Sequence, residues 1–458
     1  MASKSIFPLS ESRAVRLPAE AEIRFVTGPA PLVPLDRLMR IFPREPAFFW
    51  SPHPDTGRCA IGSVETWQLE SGTGSIDGMD RFTMARRVAE TLFRRVMVIA
   101  DDDAPKPCLV GGFSFSPESV QDPIWREFGS VRLVLPRWTY IRDKERAWLS
   151  LAFCADARER DQGLWERASL LRQLAEMTDP TPDSDRHETA AWVNRTSLIA
   201  FSDLVRKAQA TIHAGLFNKV VVAQRGTVFG SLPFDPCNLL NRLADRALRC
   251  IRFAHRIGST TFLGVTPERL VTKRHREVLS EALAGTVASP PGREGERPIF
   301  GPKDRAEHRW VVDEIVRVLG SYCSQLTIPP TPTLLKLVDL WHLHTPIIGT
   351  LSQETHVLEL IGALHPTPAV GGVPTREAQK WIIAHEPHVR GWYASPIGWF
   401  DASGDGEFAV ALRCALLDGK AAYVYAGAGI IDASQAELEY QETLLKQQSI
   451  AAALGLCS

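Results

Sequence analysis

The stretch EFAVALRCALLDGKAAYVYAGAG, residues 407–429, reads as two antiparallel strands around a tight turn. Asp418-Gly419 is a strong two-residue hairpin signal, and centring the turn there pairs Leu417 with Lys420 and Arg413 with Val424. Alternation then puts Phe408, Val410, Leu412, Cys414 and Leu416 on one face with Tyr423 and Tyr425, which is a core face. The other face carries Ala409, Ala411, Arg413 and Ala415 beside Ala422, Val424, Ala426 and Ala428. One arginine stands in a field of small side chains. That suits close helix packing with Arg413 paired to a structural carboxylate. It equally suits a floor where a guanidinium meets a ligand carboxylate bidentately. Gly427 and Gly429, at the end of the same strand, allow backbone N–H groups to approach a ligand closely.

A helix follows at once. Ser434 and Glu437 have capping-box spacing, which predicts a start near Gln435. Glu439, Glu442 and Lys446 then share a face. An ordinary solvated Glu–Lys pair explains that spacing, but so does a cation site beside the anion-binding glycines. A second helix opens in KDRAEHRWVVDEIVRVLG, residues 303–320, with Asp304 as expected N-cap and Glu307 three residues on. Two or three carboxylates from different helices suit Mg²⁺, which keeps waters and leaves positions for an anionic substrate. The segments WHLHTP and HEPH give no four-ligand zinc set.

Two further segments carry single polar residues. In LFNKVVVAQRGTVFG, residues 216–230, Lys219 opens an otherwise apolar strand. Such a lysine usually snorkels to water; at a strand end inside a cleft, burial favours the neutral amine and hence a general base. In TFLGVTPERL, residues 261–270, Thr266-Pro267-Glu268 reads as a turn between strands. A carboxyl held there is either a turn residue or a general acid.

Around these segments the chain alternates strands and helices. Strands are expected at 219–229, 261–265, 269–274, 277–284, 394–401, 407–417 and 421–427, and helices at 195–214, 235–248, 304–323, 375–385 and 435–454. Sequential hairpins favour large antiparallel sheets with covering helices over a doubly wound parallel sheet. The polar run EMTDPTPDSDRHET, residues 176–189, marks a boundary between an amino-terminal half, 1–185, and a second region, 186–458. The Gly/Pro-rich residues 287–304 read as a long surface loop.

Composition narrows the class. With 458 residues, 45% hydrophobic and 23% charged, the chain has ample core, and a net charge of −1 offers no field for nucleic acid or anionic membrane. No apolar run of membrane-spanning length and no signal-peptide pattern is visible, so a cytoplasmic enzyme is expected. Eight cysteines without a C-x-x-C pair read as reduced thiols.

In this order, NKVVVAQR, FLGVTPERL, EALAGT, KDRAEH, HPTPAVGG, RGWYASPIGWFDASGDGEFAVALRCALL and YAGAGIIDASQAELEYQET resemble the chorismate-binding enzymes. Their members include isochorismate and salicylate synthases and the large subunits of anthranilate and aminodeoxychorismate synthases. The resemblance covers roughly residues 190–450. It implies an α/β fold of the α+β type, like the anthranilate synthase large subunit. Two large, mainly antiparallel sheets pack together with helices outside, around a cleft for Mg²⁺ and chorismate. Carried over by motif, Lys219 corresponds to the base that activates water and Glu268 to the acid that protonates the leaving hydroxyl. Glu307 and Glu442 match magnesium-binding positions, supported by Glu439. Arg413, Gly427 and Gly429 match groups that hold substrate carboxylate, while Tyr393, Thr286, His342 and Lys446 line the cleft. HPTPAVGG, residues 365–372, looks like the isochorismate synthase variant. That implies a monomeric isomerase with no glutaminase subunit. A salicylate synthase, an ammonia-using synthase subunit and a non-catalytic subunit are the alternatives, the last disfavoured by intact Lys219 and Glu268. Ala306 and Gln224 depart from common family residues without touching the acid, base or metal positions.

Overall fold

A computed structural model describes residues 21–456 except 71–74, 77–78, 156, 178–188, 245–248, 289–296 and 338–339. Most of the expected boundary at 176–189, and the middle of the expected loop at 287–304, lie outside the described residues.

Two large sheets dominate. From one edge, the first runs through Ala190–Arg195, Lys219–Gly230, Ala421–Ile430, Cys414–Asp418, Thr260–Thr266 and Ile251–Ile257. It continues without a break into Ala47–His53, Thr56–Ile61, Trp138–Asp143, Arg146–Cys154, Ile23–Pro29 and Val96–Ile99. The second runs through Cys323–Thr327, Leu340–Leu351, Glu277–Ala288, Arg269–Arg274, Gly406–Val410 and Pro396–Asp401 into Cys108–Phe113, Val131–Leu135 and Glu65–Leu69. Both sheets therefore contain strands from the two halves of the chain. Neighbours are antiparallel except Ile23–Pro29 with Val96–Ile99, which are parallel.

One core lies between the sheets, where Phe48 and Trp50 meet Val110, Phe113, Trp399 and Phe408. A second lies outside the first sheet, where Ala415, Leu417, Ala422 and Val424 pack with helix residues Leu38, Leu170, Leu239 and Ile450. Covered on both faces, the strands read as near-continuous apolar runs such as VVVA at 220–223.

The segment 407–429 corrects its own reading. It is not one hairpin: Gly406–Val410 belongs to the second sheet and Cys414–Asp418 to the first. The chain crosses between them through Ala411–Arg413, and Arg413 takes a left-handed backbone with φ 44°. The turn centres one residue later than expected, pairing Asp418 with Ala421 and Ala415 with Val424. Gly419 then occupies the first central position with φ 56°, a conformation glycine adopts without penalty and the hairpin turn requires. Each residue's partner moves by two, so the face assignments of 414–418 survive. Arg413, however, is not paired with Val424: Ala409, Ala411, Ala415, Ala422, Val424 and Ala428 of the small-residue face pack into the cores, while Arg413 and Ala426 line the pocket described below.

Both expected capping boxes are also corrected. The helix Ala436–Ala453 has Gln435 as N-cap with no side-chain cap, and the Ser434 hydroxyl instead accepts from the Ile431 N–H. The helix Pro302–Gly320 starts earlier than expected; Asp304 lies within its first turn and accepts from the Gly301 N–H at 3.0 Å. Leu340–Leu351 has no counterpart in the sequence reading, because Pro346 and Gly349 look like strand breakers. Pro346 is tolerated because it falls where neighbours change: Thr333–Leu337 pairs as far as His344, and Cys323–Thr327 begins at Ile348.

Candidate active site

The pocket lies where the chain twice crosses between the sheets. Thr266 and Arg269 end and begin strands of different sheets, with Glu268 between them. The crossing at 410–414 runs alongside it: the Val410 N–H donates to the Glu268 carbonyl at 3.0 Å and the Val265 N–H to the Arg413 carbonyl at 3.0 Å. Because Cys414–Asp418 starts only at Cys414, it covers Ala421–Ile430 no further than Val424. Among the described residues, no strand covers Gly427 and Gly429 on that side.

Their amides face the gap for a geometric reason. On the neighbouring strand, Ala223 turns its N–H to Glu386 and Val221 turns its carbonyl to Arg390, both away from Ala421–Ile430. In an antiparallel ladder the cross-strand partners of such residues also point outward. Those partners are Gly427 and Gly429. The Gly427 carbonyl accordingly accepts from Lys446 Nζ at 3.0 Å. An open pocket with a cavity volume of about 80 Å³ results, lined by Lys219, Glu268, Thr286, Glu307, His342, Tyr393, Arg413, Gly427, Gly429, Glu442 and Lys446, among others. Of the twelve residues the resemblance assigns to the site, eleven are in this lining and Glu439 is not.

Lys219 is 2% exposed and its Nζ lies 3.6 Å from Glu307 Oε2. Glu268 is also buried, and burial pushes its carboxyl up to about 7 against the lowering effects of the Thr367 hydroxyl, Lys219 and Lys446. That hydroxyl donates to Oε1 at 3.2 Å. A carboxyl tuned near neutrality can donate a proton at physiological pH. The sequence reading missed Thr367, although it stands inside HPTPAVGG.

Arg413, His342 and Tyr393 line the pocket with this pair. Burial lowers the Arg413 guanidinium's pKa without discharging it, and among the described residues it has no hydrogen-bond or ion-pair partner. His342 is held well below the ordinary imidazole range by burial, reinforced by Arg413 and Lys446, and is therefore neutral. Its Nδ1 lies 3.2 Å from the Gly285 carbonyl, while its buried Nε2 has no partner among the described residues. With Nδ1–H donating to that carbonyl, Nε2 is an acceptor available to a substrate hydroxyl. Tyr393 stacks on Tyr425, and burial raises its hydroxyl, keeping it a donor.

Glu307 and Glu442 enter from the helices Pro302–Gly320 and Ala436–Ala453. Burial pushes the Glu442 carboxyl up, but Lys446 at 2.5 Å, Lys303 and Arg413 together bring it below its ordinary value. Glu439 turns out of the lining to bond Lys303, whose ammonium also lies 3.8 Å from Glu307 Oε1. Among the described residues no cluster of three or more potential ligands is arranged to hold a metal. Glu307 and Glu442 nonetheless fit Mg²⁺, which uses one or two carboxylates plus substrate oxygens and water. The Lys303 ammonium shows that this cluster already attracts positive charge.

Gly429 leaves no space for a side chain: a Cβ there would come 2.9 Å from Lys219 Cε and 3.0 Å from Glu307 Oε2. Gly429→Ala is expected to cut turnover about 10²-fold by displacing the lysine, with a near-normal thermal midpoint. Equal turnover in steady-state assays would show that Lys219 tolerates displacement.

The family profile described as chorismate binding enzyme matches residues 22–455. The salicylate biosynthesis isochorismate synthase of Pseudomonas aeruginosa is 37% identical over 359 residues, covering 76% of this chain and 74% of that protein. The menaquinone-specific isochorismate synthase structure from Escherichia coli superposes with a TM-score of 0.76 at 26% identity, covering 95% of this chain and 96% of the other. Anthranilate synthase component I from Streptococcus pneumoniae shares the fold, with a TM-score of 0.68 at 21% identity over 86% of this chain and 92% of that one.

Proposed function

The chain belongs to the chorismate-binding enzymes, and from that premise we propose that it is an isochorismate synthase, with Lys219 and Glu268 as its acid–base pair. The observation that carries the assignment of roles is the convergence of Lys219 and Glu268 on one pocket together with Arg413, Gly427 and Gly429.

Conversion of chorismate to isochorismate adds water at C2 and expels the C4 hydroxyl, with the double bonds shifting between them. Lys219 removes a proton from the attacking water as its oxygen bonds to C2. Protonated Glu268 gives its proton to the C4 oxygen, which leaves as water. Atoms balance, and the reverse reaction uses the same groups with roles exchanged. Arg413 and the Gly427 and Gly429 amides hold substrate carboxylate. His342, Thr286, Tyr393 and Lys446 fix the ring's orientation. Glu307 and Glu442 would hold Mg²⁺, with Glu439 supporting through Lys303. Bound there, the ion would neutralise the ring carboxylate and polarise the diene toward attack. The reading includes a cytoplasmic monomer that needs no glutaminase subunit, because water and not ammonia is the nucleophile. Among the described residues, no helix is long and apolar enough to cross a membrane.

Chromatography after incubation with chorismate and Mg²⁺ tests the reading. Isochorismate is the expected product. Salicylate with pyruvate, an amino product in the presence of ammonia, or unchanged chorismate would each replace it with a different reading.

A metal prediction accompanies it. Glu307→Gln or Glu442→Gln removes one formal charge from a site with few protein ligands. Either change should weaken Mg²⁺ binding measured by calorimetry and raise the Mg²⁺ concentration needed for half-maximal rate. Full wild-type activity in excess EDTA would remove magnesium from the mechanism.

A further inference from the structure

Behind the pocket, and outside its lining, Arg390 and Glu386 form a buried ion pair. Arg390 Nε and Nη2 meet the Glu386 carboxylate at 2.9 and 2.6 Å. Nη1 donates to the Val370 carbonyl at 2.7 Å, and Nη2 also donates to the Val221 carbonyl at 2.8 Å. Glu386 Oε1 in turn accepts from the Ala223 N–H at 2.8 Å. The guanidinium lies 4.3 Å over the Phe115 ring. Burying two charges is costly even when they are paired, so the location calls for a physical reason.

The reason lies in the sheet. On the side away from Ala421–Ile430, the strand Lys219–Gly230 is covered at Lys219 and Val220 by Gly372–Val373. From Gly226 onward it is covered by Ala190–Arg195. Among the described residues no strand covers 221–225 there, and a buried backbone cannot leave its polar groups unpaired. Arg390, Glu386 and the Gly371 carbonyl, which accepts from the Val221 N–H, stand in for the missing strand. Two of the tied residues, Val221 and Val370, line the pocket. Val370 is three residues from Thr367, whose hydroxyl meets Glu268.

We propose that the Arg390–Glu386 pair positions the reaction's acid and base, tying the strand that carries Lys219 to the loop that carries Thr367. The proposal rests on the roles assigned above to Lys219 and Glu268. Neither member of the pair touches substrate. A planar guanidinium serves a carboxylate and two carbonyls at once, which a lysine ammonium cannot reproduce in that geometry.

The test compares Arg390→Lys, Glu386→Gln and Thr367→Val with wild type and Lys219→Ala, measuring kcat and KM for chorismate across pH together with the thermal midpoint. In Arg390→Lys and Glu386→Gln, kcat should fall about 10²-fold, the scale of a small misplacement. KM should change little, because Arg413 and the glycine amides are untouched. The pH profile separates positioning from simple stability. The Thr367 hydroxyl lowers the Glu268 carboxyl, so slackening that bond lets Glu268 keep its proton to higher pH. The alkaline limb should therefore move upward in all three variants, and in Thr367→Val it should do so with a normal thermal midpoint. The other charged or titratable groups lining the pocket with Glu268 are Lys219, Lys446, Glu307, Glu442, Arg413, His342, Tyr393 and Tyr425; all are retained in these three variants. If Arg390→Lys fails to fold, Glu386→Gln and Thr367→Val carry the same comparison. Folded Arg390→Lys and Glu386→Gln with wild-type kcat overturn the proposal, as does a kcat loss with an unmoved limb. Normal turnover by Lys219→Ala would instead remove the acid–base reading itself.

Discussion

Lys219→Ala is expected to abolish isochorismate formation while leaving a folded protein. Lys219 is a buried basic group at the start of an apolar strand, and it lines the same pocket as Glu268. Loss of a general base typically costs about 10²–10⁴-fold, and here the vacated space would also admit unoriented water. The fold should survive because Glu307, the carboxylate left behind, keeps Lys303 within 3.8 Å. Circular dichroism and a thermal melt would check folding, and product chromatography would check turnover. Wild-type-like rates from a well-folded variant would mean that another group takes the proton.

Glu268→Gln should lower turnover by about 10²–10⁴-fold, the usual contribution of a general acid, because the amide preserves shape but carries no proton to give. Chorismate binding should persist through Arg413 and the glycine amides. The wild-type pH profile belongs to the same prediction: with its carboxyl pushed up to about 7, Glu268 loses its proton as pH rises through that value, and the rate should fall with it. Stability carries a matching sign. The unfolded carboxyl ionises near 4.5 and the folded one near 7, so wild-type stability declines between those values as pH rises. Glu268→Gln escapes that decline, and its midpoint at pH 8 should equal or exceed the wild type's. A near-normal rate with a lowered midpoint would assign Glu268 to the turn and leave the acid unidentified.

Much of the fold was legible because the signals were local. The apolar strand at 219–230, the helix at 375–385 and the strand-to-helix passage at 425–453 each follow from periodicity within one window. Segments failed where a neighbour decided the outcome. Residues 407–417 keep one alternation throughout, so nothing local announces that the chain changes sheets at Arg413. Leu340–Leu351 hides behind Pro346, which is harmless only because two different strands meet there.

The candidate site divides the same way. The sequence alone, through ordered motifs, singled out the residue types proposed to carry the chemistry: a lysine opening a strand, a glutamate in a turn, carboxylates on two helices and glycines ending a strand. Tertiary structure alone decided that, among the described residues, no strand covers Gly427 and Gly429 on one side, because the strand beside them stops at Cys414. It decided that Glu439 pairs with Lys303 away from the pocket lining, since helix spacing fixes only a shared face and not what that face meets. It also decided that Glu268 holds its proton near neutrality, since burial is a property of everything packed around a carboxyl and not of the turn that bears it.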